Sequence, residues 1–251
     1  MPRAARIHYP GGVYHLISRF FERRFMLDSD EERGKYLGLV ARTAATVDAQ
    51  VLGYCLMSSH VHLVVRAGEM SLERLMKPVN TGFAVWKNRR LGGRRGPVFA
   101  DRYKAVLVDS DQYLLELLAY VHNNPVRAGV VSTACASDWS SHRAYVGREP
   151  APRWLNTGLA LASLDERPAT AAAMLDEYVR ERRSDDRSPV LSGEGHGRAA
   201  RMTMRAVGDA WRLSGAVVGD DEFVEKVERD LADSDDIVAR GGLNDVRESF
   251  H

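Results

Sequence analysis

The chain has 251 residues, 45% hydrophobic and 27% charged, with a formal net charge of +1 at pH 7. That is an ordinary globular composition, long enough for one large domain or a medium domain with an appendage. No apolar stretch approaches the roughly 20 residues that a membrane helix needs. The near-neutral total hides a split: residues 1–110 carry 18 Lys+Arg against 10 Asp+Glu, and residues 219–251 carry 4 against 11. The front end is therefore expected to bind a polyanion and the acidic tail to be solvated.

The first residues are basic but lead to Pro10-Gly11-Gly12 without an apolar signal core, so a cytoplasmic protein with no membrane partner is expected. Residues 13–19 read as a first strand. Ser29 or Asp30 can cap a helix to about Val47, with Tyr36, Leu37, Val40, Ala44 and Val47 at helical spacing. Residues 51–57 read as a second strand, Ser58-Ser59 as a tight turn, and residues 60–66 as a third strand. A second helix opens after Ser71 and carries Leu72, Leu75, Val79, Phe83 and Trp86. Phe99 and residues 103–108 suggest a fourth strand interrupted near Ala100-Asp101, and a further helix starts at Asp111.

Strand, helix, strand, strand, helix, strand is the order of an α+β, ferredoxin-like (split βαβ) antiparallel sheet. The added helix can lie across its open face. After about Gly147 the character changes, which divides the chain into residues 1–147 and a mostly helical C-terminal region, 148–251. Helices are expected at 169–183, 199–213 and 220–233, with a Ser-, Asp- and Gly-rich linker at 184–197. Cys55 and Cys135 are far apart and outside any Cys-x-x-Cys spacing. They indicate neither a disulfide framework nor a thiolate zinc site and read as small buried hydrophobes.

The chemistry-bearing residues lie on the third strand and the late helix. His60 and His62 are two apart, so on a strand both imidazoles face one side while Val61, Leu63 and Val65 pack on the other. Tyr120 and Asn124 are one helical turn apart, and Pro125 ends or kinks the helix there. Two nitrogen ligands, an amide oxygen and a phenol are the parts of a metal-assisted phosphodiester transesterification. Tyr113 competes as nucleophile from the same helix face, and His122 points about 200° away from Tyr120. The solvent face of a half-buried strand is the plain alternative for the histidines.

A binding surface is expected between Trp86 and Lys104. Lys87, Arg89, Arg90, Arg94, Arg95, Arg102 and Lys104 stand there against one acid, Asp101, with Trp86, Phe99 and Tyr103 interleaved. This fits phosphate contacts with base stacking on a single strand. His15 and Arg19 share a face of the first strand and are candidates to touch DNA or support the metal site. Arg127 is a candidate for a phosphate contact or a helix cap.

Five segments in order resemble one family: Tyr14-His15-Leu16-Ile17-Ser18-Arg19, Tyr54-Cys55-Leu56-Met57-Ser58-Ser59-His60-Val61-His62-Leu63, Arg102-Tyr103-Lys104-Ala105, Tyr120-Val121-His122-Asn123-Asn124-Pro125-Val126-Arg127-Ala128-Gly129 and Trp139-Ser140-Ser141-His142-Arg143-Ala144-Tyr145. Over about residues 6–147 the chain resembles the REP-associated branch of the single-tyrosine transposases, within the His-hydrophobic-His endonuclease superfamily. The resemblance implies Tyr120 as nucleophile, His60 and His62 as metal ligands and Asn124 as third ligand. It also implies a 5′-phosphotyrosyl intermediate and single-stranded or hairpin DNA as partner. Magnesium or manganese suits such a His and carboxamide site. Two departures stand out: Arg19-Phe20-Phe21 replaces the usual Arg-Gly-Asn, and Ser58-Ser59 replaces the commoner Pro-Asn. A nuclease-inactive DNA- or RNA-binding protein of the same fold is the rival reading, and monomer or homodimer is left open.

Overall fold

The computed structural model describes residues 7–93, 96–183, 216–218 and 221–232. Strands β1 (Val13–Arg19), β2 (Gln50–Leu56), β3 (His60–Arg66) and β4 (Lys104–Val108) lie in the order β2-β3-β1-β4, with every neighbouring pair antiparallel. Helices α1 (Asp30–Ala44) and α2 (Leu72–Arg90) complete the expected split βαβ arrangement. A three-residue strand, β5 (Ala216–Val218), adds parallel to β4 and was not anticipated.

Two-residue alternation builds a core on each side of the sheet. Tyr14, Leu16, Val61, Leu63 and Val65 pack with Tyr36, Val40, Leu75, Val79 and Phe83 of α1 and α2. Ser29 starts α1 through a capping box: its hydroxyl accepts from the Glu32 N–H, and the Glu32 carboxylate accepts from the Ser29 N–H.

On the opposite face, Val13, Leu52, Val64 and Val106 pack with Leu114, Leu117, Leu118 and Val121 of α3 (Ser110–His122). The added helix therefore crosses the sheet as expected. Gly53 sets how closely it sits: a Cβ there would fall 2.7 Å from Leu118 Cδ2. The chain breaks after His122 and resumes as α4 (Asn124–Arg127), with Pro125 in its first turn, where a missing N–H is tolerated.

The residues that follow wrap the free edge of β2. The Leu56 N–H donates to Trp139 O at 2.8 Å, the Ser141 N–H to Tyr54 O at 3.0 Å and the Asn156 N–H to Val51 O at 2.9 Å. Next come α5 (His142–Tyr145), α6 (Gly158–Ala162) and α7 (Pro168–Glu181). Past residue 147 the chain still feeds the core beneath α3, through Ala160, Leu175 and Val179. Helix α8 (Asp221–Ala232) belongs to the acidic segment expected to be solvated, yet Val227 and Leu231 are buried and Asp230 accepts from the Tyr9 hydroxyl at 2.7 Å. Val227 and Leu231 dock while Glu222, Glu225 and Asp230 stay exposed, a division that a charge count does not reveal. The linker at 184–197 and the helix at 199–213 lie outside the described residues. No described helix is long and apolar enough to cross a membrane.

Candidate active site

The register of β1 against β3 assembles the centre. Ile17 pairs with His62, Arg19 with His60 and His15 with Val64, so His15 and His62 are diagonal neighbours on the face that α3 covers. Their rings stack with centroids 5.0 Å apart, and His15 Nε2 lies 2.8 Å from His62 Nδ1. The His60 ring stands edge-on to His62 at 4.8 Å. From α3, Tyr120 brings its ring to 5.9 Å from His62 and 5.7 Å from His15. Strand and helix thus deliver the two histidines and the phenol to one place.

His62 is fully enclosed and its Nε2 has no hydrogen-bond partner among the described residues. Burial, and after it His15, His60, Arg127 and Arg19, hold its pKa well below the usual histidine range. A neutral imidazole with an unused ring nitrogen is the form that ligates a metal. The 2.8 Å contact engages Nδ1: when Nδ1 carries the proton and donates it to His15, the lone pair stays on Nε2. Sequence reasoning had His15 as one candidate for supporting the centre, but not its direct bond to His62.

The end of α3 is held by side chains. The carbonyl of Tyr120 accepts from Asn124 Nδ2 at 3.0 Å and from Arg127 Nη2 at 2.7 Å. These stand in for a backbone donor displaced where the helix breaks. The Asn124 contact fixes which end of the amide faces the helix and turns Oδ1 away from it. Arg127 also lies over the Tyr120 ring, 4.3 Å from its centroid. It caps the helix and stacks on the phenol at once.

His122 points to the far side of α3, where its ring nitrogens meet Ser141 Oγ at 2.9 Å and His142 Nδ1 at 3.2 Å. It takes no part in the centre.

The expected binding surface needs correction. Lys87 is only 5% exposed and pairs with Glu32 between α1 and α2, so it is not a DNA contact. Burial works against the Glu32 charge, yet Lys87 and the N–H groups of Ser29 and Asp28 hold its carboxyl below the usual range. Arg90 pairs with Glu31 at 2.8 Å and lies over Trp86 at 5.2 Å, keeping half its side chain exposed. The aromatics expected to stack on bases are structural. Tyr103 is buried, Phe99 packs on Phe20 at 5.1 Å and Trp86 on Phe83 at 5.8 Å. Arg89, Arg102 and Lys104 reach the surface and Arg19 is half-buried, whereas Arg94 and Arg95 lie outside the described residues.

Residues 9–124 match a family model described as IS200-like transposase. No curated protein matches the chain. Among solved structures, a REP-associated tyrosine transposase bound to a REP hairpin is similar with 14% identity and a TM-score of 0.51, over 63% of this chain and 93% of that one. That likeness extends the shared fold past the matched residues. A candidate transposase from Deinococcus radiodurans R1 has 17% identity and a TM-score of 0.34, over 49% of this chain and 97% of that one.

Proposed function

We propose, from the match of residues 9–124 to the IS200-like transposase family, that the chain is a DNA endonuclease and strand transferase acting on single-stranded or hairpin DNA. One observation carries the reading: the buried, unpartnered Nε2 of His62 lies beside His60 and within one ring contact of Tyr120.

His60, His62 and Asn124 would hold a divalent cation, magnesium or manganese. When bound, it supplies Lewis-acid polarisation of the scissile phosphate, work worth several kcal/mol. His15 holds His62 in the tautomer that leaves its ligating nitrogen free, and Arg127 fixes the position of the phenol. Phenols titrate near a pH of about 10 and are weak nucleophiles at neutral pH, so positioning and charge stabilisation do most of the work.

The Tyr120 oxygen attacks phosphorus. The new bond is O–P, the bond to the 3′ oxygen breaks, the phenolic proton passes to solvent, and the leaving 3′ oxygen takes a proton from solvent. The products are a 5′-phosphotyrosyl chain and a free 3′-hydroxyl. The ester is retained, so a second 3′-hydroxyl can displace Tyr120 and join strands without ATP. Arg19, Arg89, Arg90, Arg102 and Lys104 supply phosphate contacts. The solved relative bound to a REP hairpin supports a hairpin substrate.

The test is denaturing electrophoresis of 3′-labelled hairpin DNA with the protein and manganese. Protein-linked label in the wild type, lost in Tyr120→Phe and on chelation, is expected. Binding with no adduct would replace this reading with that of a nuclease-inactive binding protein. Preference for RNA, unaffected by His60→Ala, would replace it with that of an RNA-binding module.

A further inference from the structure

Cys135 and His142 lie close in the sequence and Asp176 lies 34 residues beyond His142, on three different segments, yet each offers one ligand atom within 4.8 Å of the others. Cys135 comes from the 3₁₀ turn Ala134–Ala136, His142 from the head of α5 and Asp176 from the middle of α7. His142 Nε2 lies 3.1 Å, and Cys135 Sγ 3.9 Å, from the same oxygen, Asp176 Oδ1. Zinc bonds of about 2.0 Å to oxygen and nitrogen and about 2.3 Å to sulfur give tetrahedral edges of about 3.3–3.6 Å. The observed separations bracket those edges. The sulfur, half-buried on a short turn, is the atom that must move inward.

The surroundings are built as the outer shell of a metal site is built. Asp176 Oδ2 accepts from Arg180 Nη2 at 3.4 Å, which aims Oδ1 at the other two groups. His142 is fully buried, and its Nδ1 faces His122 Nδ1 at 3.2 Å. His122 Nε2 faces Ser141 Oγ at 2.9 Å, and the Ser141 hydroxyl reaches Tyr54 O at 3.3 Å.

With His142 Nε2 committed to a cation, each proton in this chain has an acceptor. His142 Nδ1–H donates to His122, His122 Nε2–H donates to Ser141, and Ser141 donates to the Tyr54 carbonyl. In the metal-free array the Asp176 carboxylate accepts from His142 Nε2–H, so cation binding moves that proton to Nδ1 and switches His122 and the Ser141 hydroxyl with it.

We propose that Cys135, His142 and Asp176 form a second metal site, selective for zinc, that clips α7 beneath the catalytic helix. Mixed sulfur, nitrogen and carboxylate ligands favour zinc over magnesium or manganese. Binding releases the thiol proton to solvent and joins a thiolate and a carboxylate that otherwise repel. Three protein ligands leave a fourth position for water. Bridging segments from residues 135 to 176, the ion closes a loop that spans α5 and α6 and so ties α7 to the turn that carries Cys135.

The test uses the full chain carrying His60→Ala and His62→Ala, which silences the first centre, titrated calorimetrically with zinc chloride. One zinc per chain is expected, with affinity reduced at least about tenfold by Cys135→Ser or by Asp176→Asn. Both changes lie at half-buried positions outside the core clusters. Cobalt(II) added to the unaltered protein should give a thiolate-to-cobalt charge-transfer band that Cys135→Ser removes. Absence of zinc binding, undiminished binding in both variants, or a cobalt spectrum without that band would overturn the proposal.

Discussion

His15 of β1 and His62 of β3 meet nitrogen to nitrogen at 2.8 Å across the sheet, and that contact decides which nitrogen of His62 faces the centre. Removing it should loosen the ligand without unmaking the fold. We expect His15→Ala to weaken manganese binding about 10–100-fold. His15→Gln, whose amide oxygen still accepts from Nδ1, should recover most of it. Calorimetry with manganese, and metal-free hairpin binding as the control, reads both. Equal affinity in wild type and His15→Ala would remove the orienting role.

Gly53 lets α3 close onto the sheet. Gly53→Ala should cost about 1–3 kcal/mol, because a methyl group there meets the buried Leu118 side chain, which must move or push its helix away. Since the same helix carries Tyr120, adduct formation should slow as well. Urea unfolding and single-turnover cleavage measure the two effects. A variant as stable and as fast as wild type would show that the contact is easily relieved.

Lys87 and Arg89 are near neighbours in sequence with opposite fates. Lys87→Ala leaves the Glu32 carboxylate without its cation, held only by the N–H groups of Ser29 and Asp28, so stability should fall by about 1–3 kcal/mol with the salt dependence of DNA binding unchanged. Arg89→Ala should leave stability alone and lower the slope of log affinity against log salt by about 1. Fluorescence titrations at several salt concentrations separate them; the reverse pattern would return Lys87 to the DNA surface.

Acid should unfold this protein early. His62, His122 and His142 all have pKa values below the histidine reference of 6.5, in each case chiefly because burial penalises the charged form; Asp176 offsets part of the effect at His142. The unfolded chain takes up protons near 6.5 while the folded one does not. Stability is therefore full above that pH and falls as pH drops below it, by up to about 1.4 kcal/mol per unit for each group that stays neutral. Melting temperatures between pH 8 and 5.5 test this, and a flat profile would contradict it.

Much of the centre was legible because strand geometry is local. Two-residue alternation alone predicts that His60 and His62 share a face, and β3 spans His60–Arg66 as read. What escaped depends on partners remote in the chain. Lys87 looked like a phosphate contact because Glu32, 55 residues away, is invisible to a scan of neighbouring charges. The interleaved aromatics were drawn inward by Phe20 and Phe83, again over long separations. Cys135 was read as a small buried hydrophobe, yet it is only half-buried and lies against Asp176. No spacing rule relates residues 135, 142 and 176; the packing of α7 under α3 brings them together. A three-residue strand such as β5 carries too little pattern to be seen before its partner is known.

Both margins of the sheet are claimed by the chain itself. The segment around Trp139–Ser141, with Asn156, occupies hydrogen-bonding groups along β2, and β5 lies against β4. A foreign strand is thereby denied a template, and the new rim offered by β5 is only three residues long. Among the described residues, the sheet therefore offers an added strand little more than the short outer rim of β5.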